Sequence, residues 1–362
     1  MKRYANVLAG IGVVMFLFSF LWWFRSTVTP PCLNADEVAY AYNAFSIMKT
    51  GSDEHGNFLP LRLVSFNDFK MPMYSYVLVP FFWILGTADH VIRLANYFIG
   101  ALLLIGLFFL TRRLTRSNVI SIVVGILLAS APWYLFLVRQ AHESVLVMLF
   151  AVWGIYFADR FREELRGWQA AGALLCGALA AFSYHTGRLI IVLITTYLFY
   201  LLVTNFKAKK VSGRSVVMWT SLMALLGVAL LAIELLHGAA RVQSLFLTSS
   251  VGFSLKINSL LQDFPVRIVF NKLTVGVYEF INHYVNHFSF PFLNGSLEDN
   301  VRFGYEDIHA FSYVAFIAAL GGIVASFKKI KPTEVLLLIL LLTSPVVSAL
   351  TWTQPALGRS IL

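Results

Sequence analysis

The sequence predicts an all-α polytopic membrane protein with about nine transmembrane helices and interfacial helices in a long first loop. Two features of the chain carry this prediction. Of its 362 residues, 59% are hydrophobic and only 13% are charged, and the mean hydropathy of +0.75 is far above ordinary globular values. The second feature is a series of apolar runs near the length, roughly 18 residues or more, that a bilayer-spanning helix needs.

These apolar runs are predicted to cross the membrane in succession. The first follows Lys2 and Arg3, as the core of a signal peptide would. Its apolar core is long, however, and no small-residue cleavage site follows, so it is predicted to be an uncleaved anchor. The predicted transmembrane helices are residues 7–24, 92–111, 119–138, 143–158, 168–185, 189–205, 216–236, 310–327 and 333–351.

Positive charges predict which helix ends face the cytoplasm. More than half of the 28 basic residues lie in short segments at alternate ends of the predicted helices. Because Lys and Arg in short loops are retained on the inner side, we expect a cytoplasmic N-terminus and a location in the cytoplasmic membrane. Topology and attraction to anionic membrane lipids explain the net charge of +10. No basic cluster interleaved with stacking aromatics indicates nucleic acid.

Two long segments, residues 25–91 and 237–309, are then predicted to lie outside the cytoplasm, where functional residues are expected. In the first segment, the stretch from Asn34 to Lys49 places apolar residues at helical spacing, with Asn34 or Asp36 as its cap. It is predicted to form a helix on the membrane surface.

Residues 71–86 are predicted to form a second interfacial helix. This run is apolar but lacks basic ends, and if it crossed the membrane every later loop would exchange sides. The whole chain, residues 1–362, is interpreted as a single membrane domain.

Short motifs along nearly the whole chain carry a family resemblance. They are Asp36-Glu37 with Tyr40, Tyr42, Asn43 and Ala44, then Lys49-Thr50-Gly51, Asp53-Glu54, Gly56-Asn57-Phe58-Leu59-Pro60, Asp68-Phe69-Lys70-Met71-Pro72-Met73-Tyr74, Val91-Ile92-Arg93-Leu94, Ala131-Pro132-Trp133, Arg139 to Glu143, Tyr184-His185-Thr186-Gly187-Arg188, His287-Phe288-Ser289, Pro291-Phe292-Leu293 and Pro355 to Ser360. In order and spacing they resemble the GT-C glycosyltransferases. The most similar branch is that of bacterial relatives of protein O-mannosyltransferases and lipid A aminoarabinose transferases.

The resemblance implies transfer of a sugar from a polyprenyl-phosphate carrier to an acceptor at the outer face of the cytoplasmic membrane. Asp36 would be the general base that takes the proton of the acceptor hydroxyl. Lys70 and Arg93 match basic positions of the family's loop and second-helix motifs, and they would neutralise the departing phosphate. A single displacement would invert the anomeric centre. The sugar and the acceptor, whether protein, lipid or glycan, stay open.

Each of these residues also has a structural interpretation. Asp36 could cap its helix, and Glu37 could be a solvated first-turn acid favoured by the helix dipole. Lys70 could pair with Asp68 or with anionic lipid. Arg93 could be a snorkelling anchor at a helix end.

Further ionisable and aromatic residues fall at predicted outer ends of the spans, at the depth of the first loop. Ion pairs at helix ends are often structural, so we expect these residues to shape the pocket as clusters rather than to act directly. The pocket candidates are Glu37, Arg139, His142, Glu143, Tyr184, His185, Arg188 and Arg359, and Glu234 has the same ambiguity.

No cofactor is firmly predicted, and a divalent metal stays open. His283 and His287 lie four residues apart on a predicted helix and could share a metal with His309 or an acid. Two histidines at this spacing in an aromatic-rich loop more often pack or form hydrogen bonds.

Two other classes of protein fit parts of this pattern. A transporter or flippase of a lipid-linked sugar should show pseudo-repeated halves and ionisable groups near mid-span, but the centres of the predicted spans are nearly free of charge. A non-catalytic GT-C-like assembly subunit would need the acids only for structure. The chain ends soon after Arg359, where relatives in the resembled family continue, so a short or a truncated member is expected.

Overall fold

The computed structural model describes residues 2–24, 32–65, 68–237, 246–294, 313–326 and 330–352. Regular structure in these residues is helical except for one two-stranded antiparallel sheet, which confirms the all-α polytopic class. The chain divides into two compact units, Met1–Leu226 with Phe311–Leu336 and Gly227–Ala310 with Leu337–Leu362.

Short connections join most of the helices. In chain order the elements are α1 (Lys2–Trp23), α2 (Ala35–Thr50), β1 (Leu63–Ser65), β2 (Asp68–Lys70), α3 (Met73–Leu85), α4 (Asp89–Thr115), α5 (Asn118–Ala129), α6 (Pro132–Arg139), α7 (Ser144–Glu164), α8 (Gly167–Ser183), α9 (Gly187–Lys207), α10 (Gly213–His237), a 3-10 turn (Leu247–Ser249), α11 (Val251–Asp263), α12 (Lys272–Asn286), α13 (Phe290–Asn294), α14 (Tyr313–Ser326) and α15 (Pro332–Ala349).

In the first unit, α4 and α7 form the centre of the packing. Helix α7 packs against α4, α8 and α9, while α4 also contacts α1, α3, α5 and α6, and α2 lies along α3. Helix α4 has 27 residues, which gives a length of about 40 Å. Arg112 and Arg113 lie in its last turn, where positive charge is favoured by the helix dipole.

Six helices in the described part of the chain are long and apolar enough to span a membrane, or seven if one bent pair counts as a single span. The predicted number of nine is therefore not confirmed. The run predicted at 168–185 forms the 17-residue helix α8, which falls below that length. The run at 310–327 lies partly outside the described residues, and 14 of its residues form α14.

The span predicted at 119–138 is not one continuous helix. It is divided into α5 and α6, which meet at an angle of 63°. Pro132 is the first residue of α6. A proline lacks the N–H needed to continue the preceding helix and pushes the residue before it out of the helical region. Ala131 accordingly has φ −68° and ψ 125°.

The two helices predicted in the first loop are both present. Asn34 caps α2, since its side chain accepts hydrogen bonds from the backbone of Asp36 and Glu37. Gly51 ends the helix with a φ of 74°, a left-handed conformation that glycine adopts readily. The second helix, α3, has 13 residues, or about 20 Å, too short to cross the hydrocarbon core.

The second unit contains α11, α12 and a small core of its own. Leu247, Phe253, Ile257 and Val275 are buried together. The strand-like pairing of Phe246 with Thr351 brings Trp352 against Phe253, with ring centroids 5.9 Å apart. Helix α12 begins at a capping box made by Asn271 and Thr274.

Candidate functional site

The first turn of α2 directs its two acids to different places. Adjacent residues of a helix point about 100° apart, so Asp36 and Glu37 cannot share one environment. The side chain of Asp36 is 36% exposed, whereas that of Glu37 is 1% exposed. The expectation that Asp36 might cap the helix is wrong, because Asn34 fills that role.

Asp36 forms an ion pair with Lys70. The ammonium group of Lys70 donates a hydrogen bond to Oδ1 of Asp36, and the lysine side chain is almost fully buried. Lys70 ends β2, in a hairpin that the sequence reasoning did not predict. The antiparallel pairing of Leu63 with Lys70 holds this position of the strand beside α2.

Glu37 is a buried junction between three segments. Its carboxylate accepts hydrogen bonds from Nε and Nη2 of Arg93 at 3.1 and 3.3 Å. It also accepts from the backbone N–H of Asn34 at 2.8 Å and of Ala141 at 3.0 Å. Arg93 donates further to the carbonyl of Cys32 at 2.7 Å. Glu37 is therefore not a solvated acid, and Arg93 is not a simple snorkelling anchor.

Tyr40 is a central residue of the site that sequence reasoning missed. It lies one turn after Asp36 and is fully buried. The Lys70 ammonium lies 5.2 Å from the centre of its ring, a cation–π distance. Its phenol forms a hydrogen bond with Glu143, and burial, followed by the charge of Glu143 and of Asp36, raises the pKa of Tyr40 well above its usual value. The spacing of four from Asp36 was the signal that could have found it.

We name Asp36, Glu37, Tyr40, Lys70 and Arg93 the α2 cluster. All five belong to the first unit and form two groups. An ion pair and a cation–π contact join Asp36, Lys70 and Tyr40, and a hydrogen-bonded fork joins Glu37 and Arg93. A common site for Asp36, Lys70 and Arg93 stays a prediction; in the structure Lys70 pairs with Asp36, whereas Arg93 pairs with Glu37.

A hydrogen-bonded loop supports the hairpin that carries Lys70. Asn43 is buried, and its amide donates to the carbonyl of Ala39 and to Oε1 of Glu54, both at 3.0 Å, and to Oγ of Ser65 at 3.2 Å. Ser65 is the last residue of β1. Asn43 thus fixes the loop and the hairpin to the face of α2 and thereby positions Lys70.

The junction between α6 and α7 also contacts the α2 cluster. Ala141 donates to Glu37, and Glu143 bonds to Tyr40. His142 lies 4.0 Å from Glu143. Arg139 instead donates to the carbonyls of Leu21 and of Phe24, the latter at 2.6 Å, so this guanidinium secures the end of α1.

The second predicted pocket segment lies between α8 and α9. Tyr184 interacts with Tyr40 and has its ring centroid 5.9 Å from that of His185. Gly187 is needed here, because a Cβ at this position would lie 1.8 Å from the carbonyl oxygen of Ala180. This close approach sets the start of α9, where Arg188 lies. That His185 and Arg188 shape the pocket stays a prediction.

The histidines of the second loop form a separate group in the second unit. Both histidines were predicted to lie on one helix, but only His283 lies in α12, and His287 directly follows its last residue. Nε2 of His283 is 3.8 Å from Glu279, and Nδ1 of His287 bonds to the carbonyl of His283 at 2.7 Å. No group of three His, Cys, Asp or Glu residues suited to a metal occurs within the described ranges. His309, Arg359 and the side chain of Glu234 lie outside them.

A second ion cluster, which sequence reasoning also missed, lies at the other end of α4. Asp159 is 1% exposed and accepts from Nε of Arg113 at 2.5 Å and from Nε of Arg162 at 3.1 Å. Thr333 donates to the same carboxylate. Glu163 bonds to Arg113 at 2.7 Å and to Arg162 at 2.9 Å. We name Arg113, Asp159, Arg162, Glu163 and Thr333 the Asp159 cluster.

Comparison with known families identifies the central stretch of the chain. Residues 70–233 match the profile of the dolichyl-phosphate-mannose-protein mannosyltransferase family. The match confirms the resemblance to GT-C glycosyltransferases, and it includes Lys70, Arg93 and Glu143 but not Asp36 or Glu37. No curated protein and no solved structure matches the chain.

Proposed function

We propose that this chain transfers a sugar from a polyprenyl-phosphate donor to an acceptor hydroxyl. Its family match and its apolar helices support a multi-pass membrane glycosyltransferase of the GT-C type. The observation that carries the proposal is the Asp36–Lys70 pair, in which a partly exposed carboxylate lies against a buried ammonium group. A base and a phosphate ligand are thus adjacent. This is the combination that displacement of a phosphate by a hydroxyl requires.

Asp36 acts as the general base in this proposal. The acceptor oxygen attacks the anomeric carbon and forms the new glycosidic bond, while the bond from that carbon to the phosphate oxygen breaks. The acceptor proton passes to the Asp36 carboxylate, and the bonding electrons leave with polyprenyl phosphate. Attack opposite the departing phosphate inverts the anomeric centre. The one-third exposure of Asp36 allows the proton to reach water afterwards.

Lys70 neutralises the charge that the phosphate gains. A lysine ammonium has three donor hydrogens, so one can stay on Asp36 while the others point to phosphate oxygens. The face of the Tyr40 ring below the ammonium holds the cation in place. In this arrangement Lys70 contacts both the leaving phosphate and the base, Asp36.

Arg93 supplies a fixed second positive charge. Glu37 and the carbonyl of Cys32 hold its guanidinium through bonds of 2.7 to 3.3 Å. A cation that is already oriented costs no rearrangement when charge develops on the phosphate. Glu37, being buried and saturated with donors, serves as the residue that orients Arg93.

We further propose that the α2 cluster faces away from the cytoplasm and that the N-terminus is cytoplasmic. The support is the distribution of charge along α4. Its C-terminal end carries Arg112, Arg113 and Arg116, which are expected on the cytoplasmic side. Arg93 and the α2 cluster lie at the opposite end of the same helix.

Substitution of Asp36 by Asn tests the mechanism, since it keeps the size of the side chain and removes the base. Proteoliposomes loaded with a panel of radiolabelled polyprenyl-phosphate sugars should give product with the wild type and a large loss with D36N, while donor binding is retained. The matched control is D89N, which neutralises an exposed acid near the same end of α4.

Three outcomes separate the candidate functions. Equal product formation by D36N and wild type would remove Asp36 as the base. Movement of the donor across the bilayer without sugar transfer would indicate a transporter. Absence of transfer by the wild type with every donor and with added native membranes would favour the assembly-subunit interpretation.

A further inference from the structure

The segment between α11 and α12, which we call the tip, exposes an unusual amount of apolar surface. The tip is residues 264–271, and its side chains of Phe264, Val266, Ile268 and Val269 are all exposed, with Ile268 reaching 87%. An exposed isolated apolar residue is ordinary in proteins, but a contiguous exposed apolar patch usually marks an interaction surface.

The tip is a defined turn rather than an irregular stretch. The N–H groups of Val269 and Phe270 both donate to the carbonyl of Val266 at 3.0 Å. Asn271 then caps α12 and also bonds to the carbonyl of Ile268 at 2.9 Å. These bonds hold the backbone of the tip so that Ile268 points away from the core of the second unit.

Helix α12 continues the same exposed surface. Leu273, Val277, Ile281 and Val285 recur every four residues and are exposed, so they form one stripe along the helix. The other side of the helix packs inward, where Val275 belongs to the core of the unit. The core is therefore complete without the stripe, and a helix that is apolar on a second face requires a further apolar environment.

The charged residues of this region lie either on the buried side of α12 or at the border of the exposed apolar surface. Glu279 is buried on the inward side and pairs with Lys256 at 2.6 Å. Arg267 in the tip and Lys272 at the start of α12 are exposed beside the apolar residues, and Asp263 is the exposed acid preceding them. Basic side chains that border an apolar surface are typical of segments that lie in a membrane interface.

We propose that the tip and the stripe of α12 are a lipid-binding surface, with the apolar side chains in the hydrocarbon margin of one leaflet. Arg267 and Lys272 then contact the headgroup phosphates. The occupant is the bilayer itself, because the surface combines apolar residues with bordering cations and belongs to a chain that already crosses the membrane. The proposal does not depend on the catalytic roles assigned to the α2 cluster.

Site-specific fluorescence in nanodiscs that contain one copy of the protein tests this inference. The native cysteines are replaced by C32S and C176A, and an environment-sensitive fluorophore is attached to I268C or, in a second protein, to V277C. The matched control is N282C, a polar exposed position on α12 about 100° from the stripe. Brominated phosphatidylcholine serves as the quencher, and each protein must first show wild-type thermal stability.

We expect brominated lipid to reduce the emission at 268 and 277 by about half and that at 282 much less, as for a helix half buried in the interface. Addition of anionic lipid should strengthen quenching at 268, and R267Q/K272Q should remove that increase. Equal, weak quenching at all three positions would overturn the proposal. Blue-shifted emission at 268 without quenching would also overturn it, because protein rather than lipid would then cover the tip.

Discussion

The two ion clusters at the ends of α4 contain similar residues but are built differently. Arg93 and Arg113 are separated by twenty residues of one helix, or about 30 Å. In the Asp159 cluster, the central carboxylate is 1% exposed and is bound by two arginines and a threonine. In the α2 cluster, Glu37 is likewise 1% exposed and bound by an arginine, but Asp36 is partly open to solvent and bound to a lysine.

We propose that this difference separates a structural acid from a reactive one. A buried carboxylate surrounded by donors is stabilised as a fixed anion and has no access to a substrate proton. A carboxylate with an open side, next to a cation that can also bind phosphate, has that access. The Asp159 cluster therefore serves as an internal reference for what the same residue types do when they only hold helices together.

The largest effect is expected for D36N. Loss of the general base should reduce turnover about 10²- to 10⁴-fold. The thermal unfolding temperature should fall less than in D159N, because Asn34, not Asp36, caps α2 and the amide oxygen introduced by D36N can still accept a hydrogen bond from the buried Lys70. Initial rates of sugar transfer and unfolding in detergent measure the two quantities. A D36N protein that lost both stability and activity would place Asp36 with the structural acids.

The next largest effect is expected for D159N, and it concerns stability rather than turnover. D159N removes the buried negative charge that pairs with Arg113 and Arg162, which should lower the free energy of unfolding by about 3–5 kcal/mol. Turnover per folded molecule should change little, since this cluster lies at the far end of α4. E163Q is the control, because Glu163 is half exposed and its loss should be mild. A catalytic defect in folded D159N would contradict the comparison.

A smaller effect is expected for Y40F, which removes the hydroxyl group but keeps the ring under Lys70. Loss of the bond to Glu143 should cost about 1–2 kcal/mol and reduce turnover modestly through the position of Lys70. Because burial and the neighbouring carboxylates raise the pKa of Tyr40, the phenol stays protonated. The alkaline side of the pH–rate profile should thus be the same in Y40F and wild type, and a shifted alkaline limb would show that Tyr40 titrates.

The smallest effect is expected at His287, a buried histidine of the second unit. Burial, and then the neighbouring His283, lowers the pKa of His287, although its bond to the His283 carbonyl acts in the opposite direction. The folded state therefore binds the proton less readily than the unfolded state, whose pKa is about 6.5. Stability should be complete above that pH and decrease as the pH falls toward the folded pKa.

Thermal unfolding between pH 5 and 7.5, compared for the wild type and H287N, measures this dependence. Glu279, His283 and Lys256 lie in the same group and are present in both proteins. A wild-type protein that gained stability on acidification relative to H287N would reverse the predicted sign.

Local sequence signals predicted much of the fold. The apolar runs gave the class, and the spacing from Asn34 to Lys49 predicted α2 to within a residue at each end, because helix periodicity and capping are local properties. The break at Pro132 and the short α8 reduced the number of confirmed spans, since helix length and bending depend on where packing and backbone geometry end each run.

The residue types alone determined that acids and cations are concentrated at the predicted outer loop, and that Asp36, Lys70 and Arg93 belong among the candidates. Only the tertiary structure decided which acid meets which cation. Glu37 is joined to Arg93 and Ala141 across 56 and 104 residues of sequence, and no local pattern encodes such pairings. The burial of one acid and the exposure of its neighbour follow from how α2 packs, and the separate roles that we propose for Asp36 and Glu37 rest on that difference.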